Sequence, residues 1–249
     1  MGRLDGKVAV VTGGSQGMGA SHARKMAEEG ATVVITDIIE EAGKKVAEEI
    51  GGNAFFMKLN VAKEDEWKST ASEIVRRFGK IDILVNNAGI GIFKRIDEIT
   101  SNEFEKTMMI NAFSVFYSLK AVVPFMKEKG GSIINISSID GVIGEIGSIG
   151  YGASKFAVTG MTKCAALELA QYGIRVNSVH PGAVDTAMGA EGSEAAGLGE
   201  NPYVSVPMKR AARPEEISNL VVFLASEESS YITGSEVIID GGKICGTTW

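Results

Sequence analysis

The chain has 249 residues, 45% of them apolar and 22% charged, a balance that excludes a wholly disordered chain and admits one large core. A formal net charge of −6, with no run of Lys and Arg, argues against a nucleic-acid-binding surface, because neutralising phosphates needs clustered cations. The two cysteines, Cys164 and Cys245, have no CxxC or Cys/His spacing, so plain thiols and no metal site are expected.

The opening MGRLDGKVAVVTGG reaches Gly13 after an apolar run too short for a signal peptide. Gly6 stands where a myristoylation signal requires Ser or Thr, and a cytoplasmic address with no membrane partner is expected. KVAVVT (7–12) then predicts a strand and 17–29 a helix; ATVVITD (31–37) predicts a second strand, followed by a helix over 39–49. NAFFMKL (53–59) and a helix over 63–78 come next, then IDILVNNA (81–88) and a long helix over 101–128. The fifth strand is SIINISS (132–138), whose NIS triplet matches a glycosylation pattern but lies in an apolar strand. A helix over 150–171, a strand IRVNSVHPG (174–182), a helix over 214–226 opened by Pro214, and a last strand SEVIIDGG (235–242) complete the series.

Near-continuous apolar strands separated by helices call for a parallel sheet covered on both faces. The fold expected is α/β: a doubly wound, parallel, seven-stranded sheet of Rossmann type, forming one domain over 1–249. Residues 187–208, rich in Gly and Ala without clear period, are expected to be a loop, either a substrate lid or plain disordered surface.

TGGSQGMG (12–19) joins the first strand to the first helix. Gly13, Gly17 and Gly19 remove Cβ atoms where backbone N–H groups of a turn carrying Ser15, Gln16 and Met18 can meet a pyrophosphate at a helix N-terminus. A tight strand-to-helix connection is the plainer reading. Asp37, closing the second strand, can accept hydrogen bonds from both hydroxyls of an adenosine ribose and would repel a 2′-phosphate; neither Gln16 nor Ile38 offers a cation to hold that phosphate. NAD is therefore expected over NADP. Asp37 can equally cap the helix over 39–49, and the two roles are compatible.

YGASK places Tyr151 and Lys155 one helical turn apart. Such a pair is commonly a solvated face, but a phenol titrating near about pH 10 needs a neighbouring cation to act as a base at neutrality, and Lys155 and an oxidised nicotinamide would both supply positive charge. Ser138 closes the fifth strand, at the end of the sheet where ligands collect, and can donate to a carbonyl oxygen while Tyr151 delivers a proton. Asn111, inside a long apolar helix, is either a satisfied buried amide or the holder of a water beside Lys155. His22 and His180 lie in no ligand cluster, and local hydrogen bonds are expected of both.

TGGSQGMG, NNAG (86–89), Asn111, Ser138, YGASK and PG (181–182) resemble, in order and spacing, the short-chain dehydrogenase/reductase family over essentially the whole chain. The resemblance implies a tetrad of Asn111, Ser138, Tyr151 and Lys155, with Lys155 also bonding the nicotinamide ribose and passing protons through a water at the Asn111 backbone. It implies that Asn87, Ala88 and Gly89 line the adenosine side and that Pro181, Gly182, Val184 and Thr186 hold the nicotinamide end. Asn60, before Val61, stands where the family usually has Asp accepting from the adenine amino group, and an Asn carbonyl accepts as well. SSIDG, VHPG, SSYITGSE and Trp67 are most similar to the bacterial hydroxysteroid and secondary-alcohol dehydrogenases of that family, which commonly form homotetramers through the two long helices and the last strand.

The function expected is NAD(H)-dependent interconversion of a secondary alcohol, possible steroids included, and a ketone. The substrate walls are expected from Asp140, Val142, Ile143, the segment after Gly89 and 187–208. A 3-oxoacyl-(acyl-carrier-protein) reductase and a catalytically silent nucleotide-binding regulator or scaffold are the alternatives; Asp37 and Gln16 speak against the first, a complete tetrad against the second.

Overall fold

The computed structural model describes residues 2–195 and 203–246. Seven strands form one parallel sheet: β1 (Val8–Thr12), β2 (Thr32–Asp37), β3 (Ala54–Lys58), β4 (Ile83–Asn86), β5 (Gly131–Ile136), β6 (Ile174–Pro181) and β7 (Glu236–Ile239), in the order β3-β2-β1-β4-β5-β6-β7. The β-branched runs place apolar side chains on both faces, since successive residues of a strand point to opposite sides. Ala9, Val11, Val33, Ile35 and Val85 face one layer, while Val8, Val10, Val34 and Leu84 face the other.

The first layer is made by α1 (Gly17–Glu28), α2 (Glu40–Ile50) and α8 (Pro214–Ala225), which bury Ala23, Met26, Val46, Ile217 and Val221. The second is made by α3 (Glu64–Phe78), α5 (Ser114–Met126) and α6 (Ile149–Leu169), through Trp67, Ile74, Val122, Met126 and Ala166. Each fully buried aliphatic side chain contributes roughly 1.5–3 kcal/mol. The chain leaves β1 for β2 on one side and returns to β4 on the other, so the crevice beyond the carboxyl ends of β1 and β4 is the switch point at which such sheets bind ligands.

Two departures from the sequence expectation bear on the site. The helix expected over 101–128 is α4 (Ser101–Met108), a π-turn over Met109–Phe113, and then α5. The π-turn carries Asn111, and such bulges re-aim a side chain out of the regular ladder. The segment expected to be a loop from 187 instead opens with α7 (Ala187–Ala195), while its part over 196–202 lies outside the described residues. By length and composition Ser101–Met126 is apolar enough to cross a bilayer, yet its pieces pack on α3 and α6 within the second layer.

Candidate active site

The glycine turn curls because two positions exclude a side chain. Gly13 has φ +63°, and a Cβ there would stand 2.8 Å from Ala88 Cα; one on Gly19 would stand 2.6 Å from Asn87 Nδ2. Asn87 fastens the turn by donating from Nδ2 to the carbonyls of Thr12 (2.9 Å) and Gly13 (3.2 Å). Thr12 Oγ1 accepts from the N–H groups of Asn87 and Ala88, tying the end of β1 to the NNAG turn after β4, a role that its sequence position alone does not mark. Gln16 gives α1 no side-chain cap and the first turn holds no acidic residue, so the leading N–H groups of Gly17 and Met18 face the crevice ready for an anion. This cradle fits the pyrophosphate of a dinucleotide.

At the tip of β2, Asp37 Oδ2 accepts from both the N–H (3.1 Å) and the hydroxyl (2.7 Å) of Ser15, and Oδ1 accepts from the Ile39 N–H (3.0 Å). Asp37 does not cap α2, whose N-cap is Ile39 with no side-chain bond; its bond to the Ile39 N–H turns the chain towards α2, and Oδ1 keeps acceptor capacity for a ribose hydroxyl. Ser15 is turned towards Asp37 rather than towards the phosphate position. Asn60 Oδ1 accepts from the Ala62 N–H (3.1 Å), and the Val61 carbonyl accepts from the Trp67 indole, so these two hold the loop after β3 in a fixed turn. On the far side, Thr186 lies over the turn, its Cγ2 3.6 Å from where a Gly17 Cβ would stand. Pro181 and Gly182 end β6, with Gly182 N–H donating to Ile239 O, and Val184 is buried and bridges to Ala212.

The chemical end of the crevice gathers Ser138, Tyr151 and Lys155. Ser138 follows β5 as the N-cap of a 3-10 turn over Ile139–Gly141, and its Oγ accepts from the Asp140 N–H at 3.1 Å. With that lone pair engaged, the hydroxyl proton is available to the crevice and to the neighbouring Tyr151 phenol, whose charged form Ser138 favours. Tyr151 stands in the first turn of α6, its ring tilted against Phe93 with centroids 5.3 Å apart. Lys155, one turn on, is buried; its ammonium donates to Ile136 O (2.9 Å) and lies 5.4 Å from the Tyr151 ring centroid. A Cβ on Gly89 would stand 3.7 Å from that ammonium, so the NNAG turn and the lysine meet.

Of the two readings of Asn111, the structure shows the bonded buried amide. Oδ1 accepts from the Ile90 N–H (2.8 Å), and Nδ2 donates to Ile90 O (2.9 Å) and to Ser154 Oγ (3.0 Å). Both amide protons are used: the side chain clamps the segment after Gly89 to α6, where Ser154 in turn donates to Tyr151 O at 2.6 Å.

Electrostatics at this end are set by burial. Lys155 is lowered to about 8 by desolvation, against the opposing pull of Asp140. Asp140, itself buried, is raised to about 6 by desolvation, with the Ser148 hydrogen bond opposing and the charge of Glu145 adding to the rise. Tyr151 is raised well above the usual phenol range by burial and then by Asp140, with the Ser138 hydrogen bond opposing. The chain's own groups therefore hold the phenol protonated, and any lowering towards neutrality needs a further positive charge such as an oxidised nicotinamide. A neutral phenol beside a serine hydroxyl is a proton donor to a carbonyl oxygen.

Over Tyr151 the wall is apolar. A Cβ on Gly192 of α7 would stand 3.3 Å from the Phe93 ring, and one on Gly91 would stand 3.5 Å from Met188 Cγ, so α7 closes on the segment after Gly89. His180 lies on β6 rather than in a loop, buried, with both ring nitrogens in hydrogen bonds.

A family model described as enoyl-(acyl carrier protein) reductase matches residues 13–243. The chain is 48% identical over 246 residues to 3-alpha-(or 20-beta)-hydroxysteroid dehydrogenase of Mycobacterium tuberculosis, covering 98% of this chain and 92% of that protein. It is 43% identical over 253 residues to trans-4-hydroxycyclohexanecarboxylate dehydrogenase of Sinomonas cyclohexanicum, covering 98% and 95%. A 3-oxoacyl-(acyl-carrier-protein) reductase of Thermotoga maritima is less similar, at 40% over 246 residues, covering 97% and 99%. Among solved structures, a levodione reductase superposes with a TM-score of 0.92 at 33% identity, over 98% of this chain and all of that one.

Proposed function

The chain belongs to the short-chain dehydrogenase/reductase family, and from that premise we propose that it interconverts a cyclic secondary alcohol and its ketone with NAD(H), using Ser138, Tyr151 and Lys155. The observation that carries the reading is the Tyr151 phenol, beside Ser138 and one turn from the buried Lys155 ammonium, at the carboxyl end of β5. In reduction, Ser138 donates to the carbonyl oxygen and Tyr151 gives it a proton; in oxidation the same two groups receive the alcohol, and Tyr151 takes the proton away. Lys155 stabilises the phenolate left after donation and orients the ribose beside it. The nicotinamide, when bound, supplies or accepts the hydride.

The turn Gly13–Gly19 with Asn87, Ala88 and Gly89 holds the pyrophosphate and adenosine side, Asn60 and Val61 flank the adenine, and Pro181, Gly182, Val184 and Thr186 close on the nicotinamide end. Asp37, pinned by Ser15, favours NAD because a 2′-phosphate beside it brings two negative charges together with no nearby cation from Gln16 or Ile38. The ring-bearing alcohols named for the relatives support a cyclic substrate, as does the apolar wall of Phe93 and Met188 over Tyr151. The acyl-carrier reductase reading is the weaker of the two, on lower identity and on Asp37.

Exposed apolar side chains on α5 and α6, among them Phe116, Phe125 and Phe156, support a homotetramer built on those helices. Free thiols at Cys164 and Cys245 suit a cytoplasmic site of action. A panel of cyclic and open-chain ketones with NADH or NADPH, followed by cofactor absorbance, tests the reading. Turnover of cyclic ketones with NADH supports it; activity confined to acyl thioesters with NADPH contradicts it.

A further inference from the structure

The parallel ladder between β5 and β6 stops just short of Ser138. Ile136 pairs with Val179, and the Ser137 N–H then donates to Val179 O at 2.8 Å. The next donor that the ladder calls for on β6, to meet Ser137 O, belongs to residue 181, which is a proline and has no N–H, so the backbone ladder ends before Ser138. A side chain meets the strand instead: His180 Nδ1 lies 2.8 Å from Ser138 O.

That contact fixes the tautomer. A carbonyl oxygen only accepts, so Nδ1 carries the proton, and in the neutral ring Nε2 is then an acceptor. Ser178 Oγ, 2.8 Å from Nε2, donates to it. The ring is wholly buried, and both nitrogens are satisfied. Ser138 is consequently held at two points, its carbonyl by His180 and its hydroxyl by the Asp140 N–H. Between them these two bonds set the backbone and the rotamer that aim the Ser138 hydroxyl at Tyr151.

We propose that His180, as the Nδ1–H tautomer, is a positioning residue for Ser138, its imidazole tying to β6 a residue that lies beyond the last backbone bond of the ladder. The proposal rests on the reading of Ser138 and Tyr151 as the reacting pair. It separates His180 from a side chain that merely fills space, because only the nitrogen at the δ position reaches Ser138.

Two substitutions divide the ring's contacts. In H180N the amide nitrogen occupies the place of Nδ1 and keeps the bond to Ser138, while Ser178 Oγ turns to Ser235 O, 3.5 Å away. In H180Q the amide extends towards Ser178 and leaves Ser138 O without its donor. With a ketone substrate and NADH, H180Q lowers kcat by about 10- to 100-fold, the scale of a small misplacement of a reacting group, with the NADH KM within about twofold of wild type. H180N recovers most of that loss. Equal kcat in the two variants, whether both high or both low, overturns the proposal; should H180Q not fold, a fall of more than about tenfold in H180N overturns it by itself.

A measurement free of turnover keeps this separate from the functional reading. The chain has two histidines, so nitrogen-15 NMR of the imidazoles at pH 7.5 gives two ring systems, assigned with H22N. A protonated Nδ1 and bare Nε2 at His180 are expected. A bare Nδ1 overturns the proposal even in an active enzyme, and a protein that turns over no ketone but shows this tautomer counts against the functional reading instead.

Discussion

The Lys155 ammonium lies 5.4 Å from the centroid of the Tyr151 ring, and its hydrogen bond goes to Ile136 O rather than to the phenol. In the proposed mechanism Lys155 would act on Tyr151 across space, through the field of a buried charge, and not through a direct hydrogen bond. Holding that charge is costly to the fold: the group is lowered from 10.5 to about 8, so the unfolded chain binds the proton more tightly, and stability falls as pH drops from about 10.5 to about 8 and stays reduced below. K155M is expected to raise stability at pH 7 by about 1–2 kcal/mol, the lost bond to Ile136 O offsetting part of the gain, and to abolish turnover. Urea denaturation and steady-state rates check it; a K155M protein less stable than wild type contradicts the argument.

Asp37 is held by two bonds from Ser15, so its carboxylate is fixed before any cofactor arrives. D37A is expected to lower the ratio of kcat/KM for NADH over NADPH by at least about tenfold, through relief of charge repulsion as well as loss of the ribose contact. S15A is expected to lower it less, since the carboxylate remains. A wild-type preference for NADPH contradicts this account.

Asp140 adds its charge to the field on Tyr151 once it ionises near pH 6. A negative neighbour disfavours the phenolate, so removing it lowers the phenol's pKa. In D140N the rising limb of alcohol oxidation against pH is expected to move down by roughly one unit, with Ser148, Glu145 and Lys155 as the remaining groups around it. A limb that stays in place or moves up contradicts the coupling.

His22 lies between α1 and α8, buried, with Nδ1 against Ser218 Oγ (2.8 Å) and no partner for Nε2 among the described residues. Burial lowers it from 6.5 to about 3. Between those values the unfolded chain binds a proton that the folded one refuses, so stability is complete above about pH 6.5 and declines towards pH 3, by up to about 1.4 kcal/mol per unit. H22N, which keeps a donor for Ser218 and lacks the second nitrogen, is expected to flatten the fall in Tm between pH 6.5 and 4.5. Parallel profiles contradict it.

The sheet was legible because its strands are short apolar runs whose two faces are both buried, as Val8 to Val11 show. The glycine turn was legible because Gly13 and Gly19 sit where a Cβ collides with the NNAG segment. α7 was not, since AMGAEGSEA carries no apolar period and its glycines lower helix propensity. Nor was the π-turn at Asn111, an insertion in the hydrogen-bond ladder that leaves no mark in composition. The spacing of Tyr151 and Lys155 placed the pair on one helix, but the sign of the phenol's shift depends on burial and on Asp140, which arrives from the turn after β5. His180 and Thr12 act on carbonyl and amide groups far away in sequence, a relation that only the folded register reveals.

Proton transfer by Tyr151 is best tested with Y151F, which keeps the ring against Phe93 and removes only the hydroxyl. With a cyclic ketone and NADH, kcat is expected to fall by about 10²–10⁴-fold, while the Kd for NADH, from fluorescence titration, stays within about threefold of wild type. A Y151F enzyme that binds NADH normally and turns over within about tenfold of wild type would contradict the account.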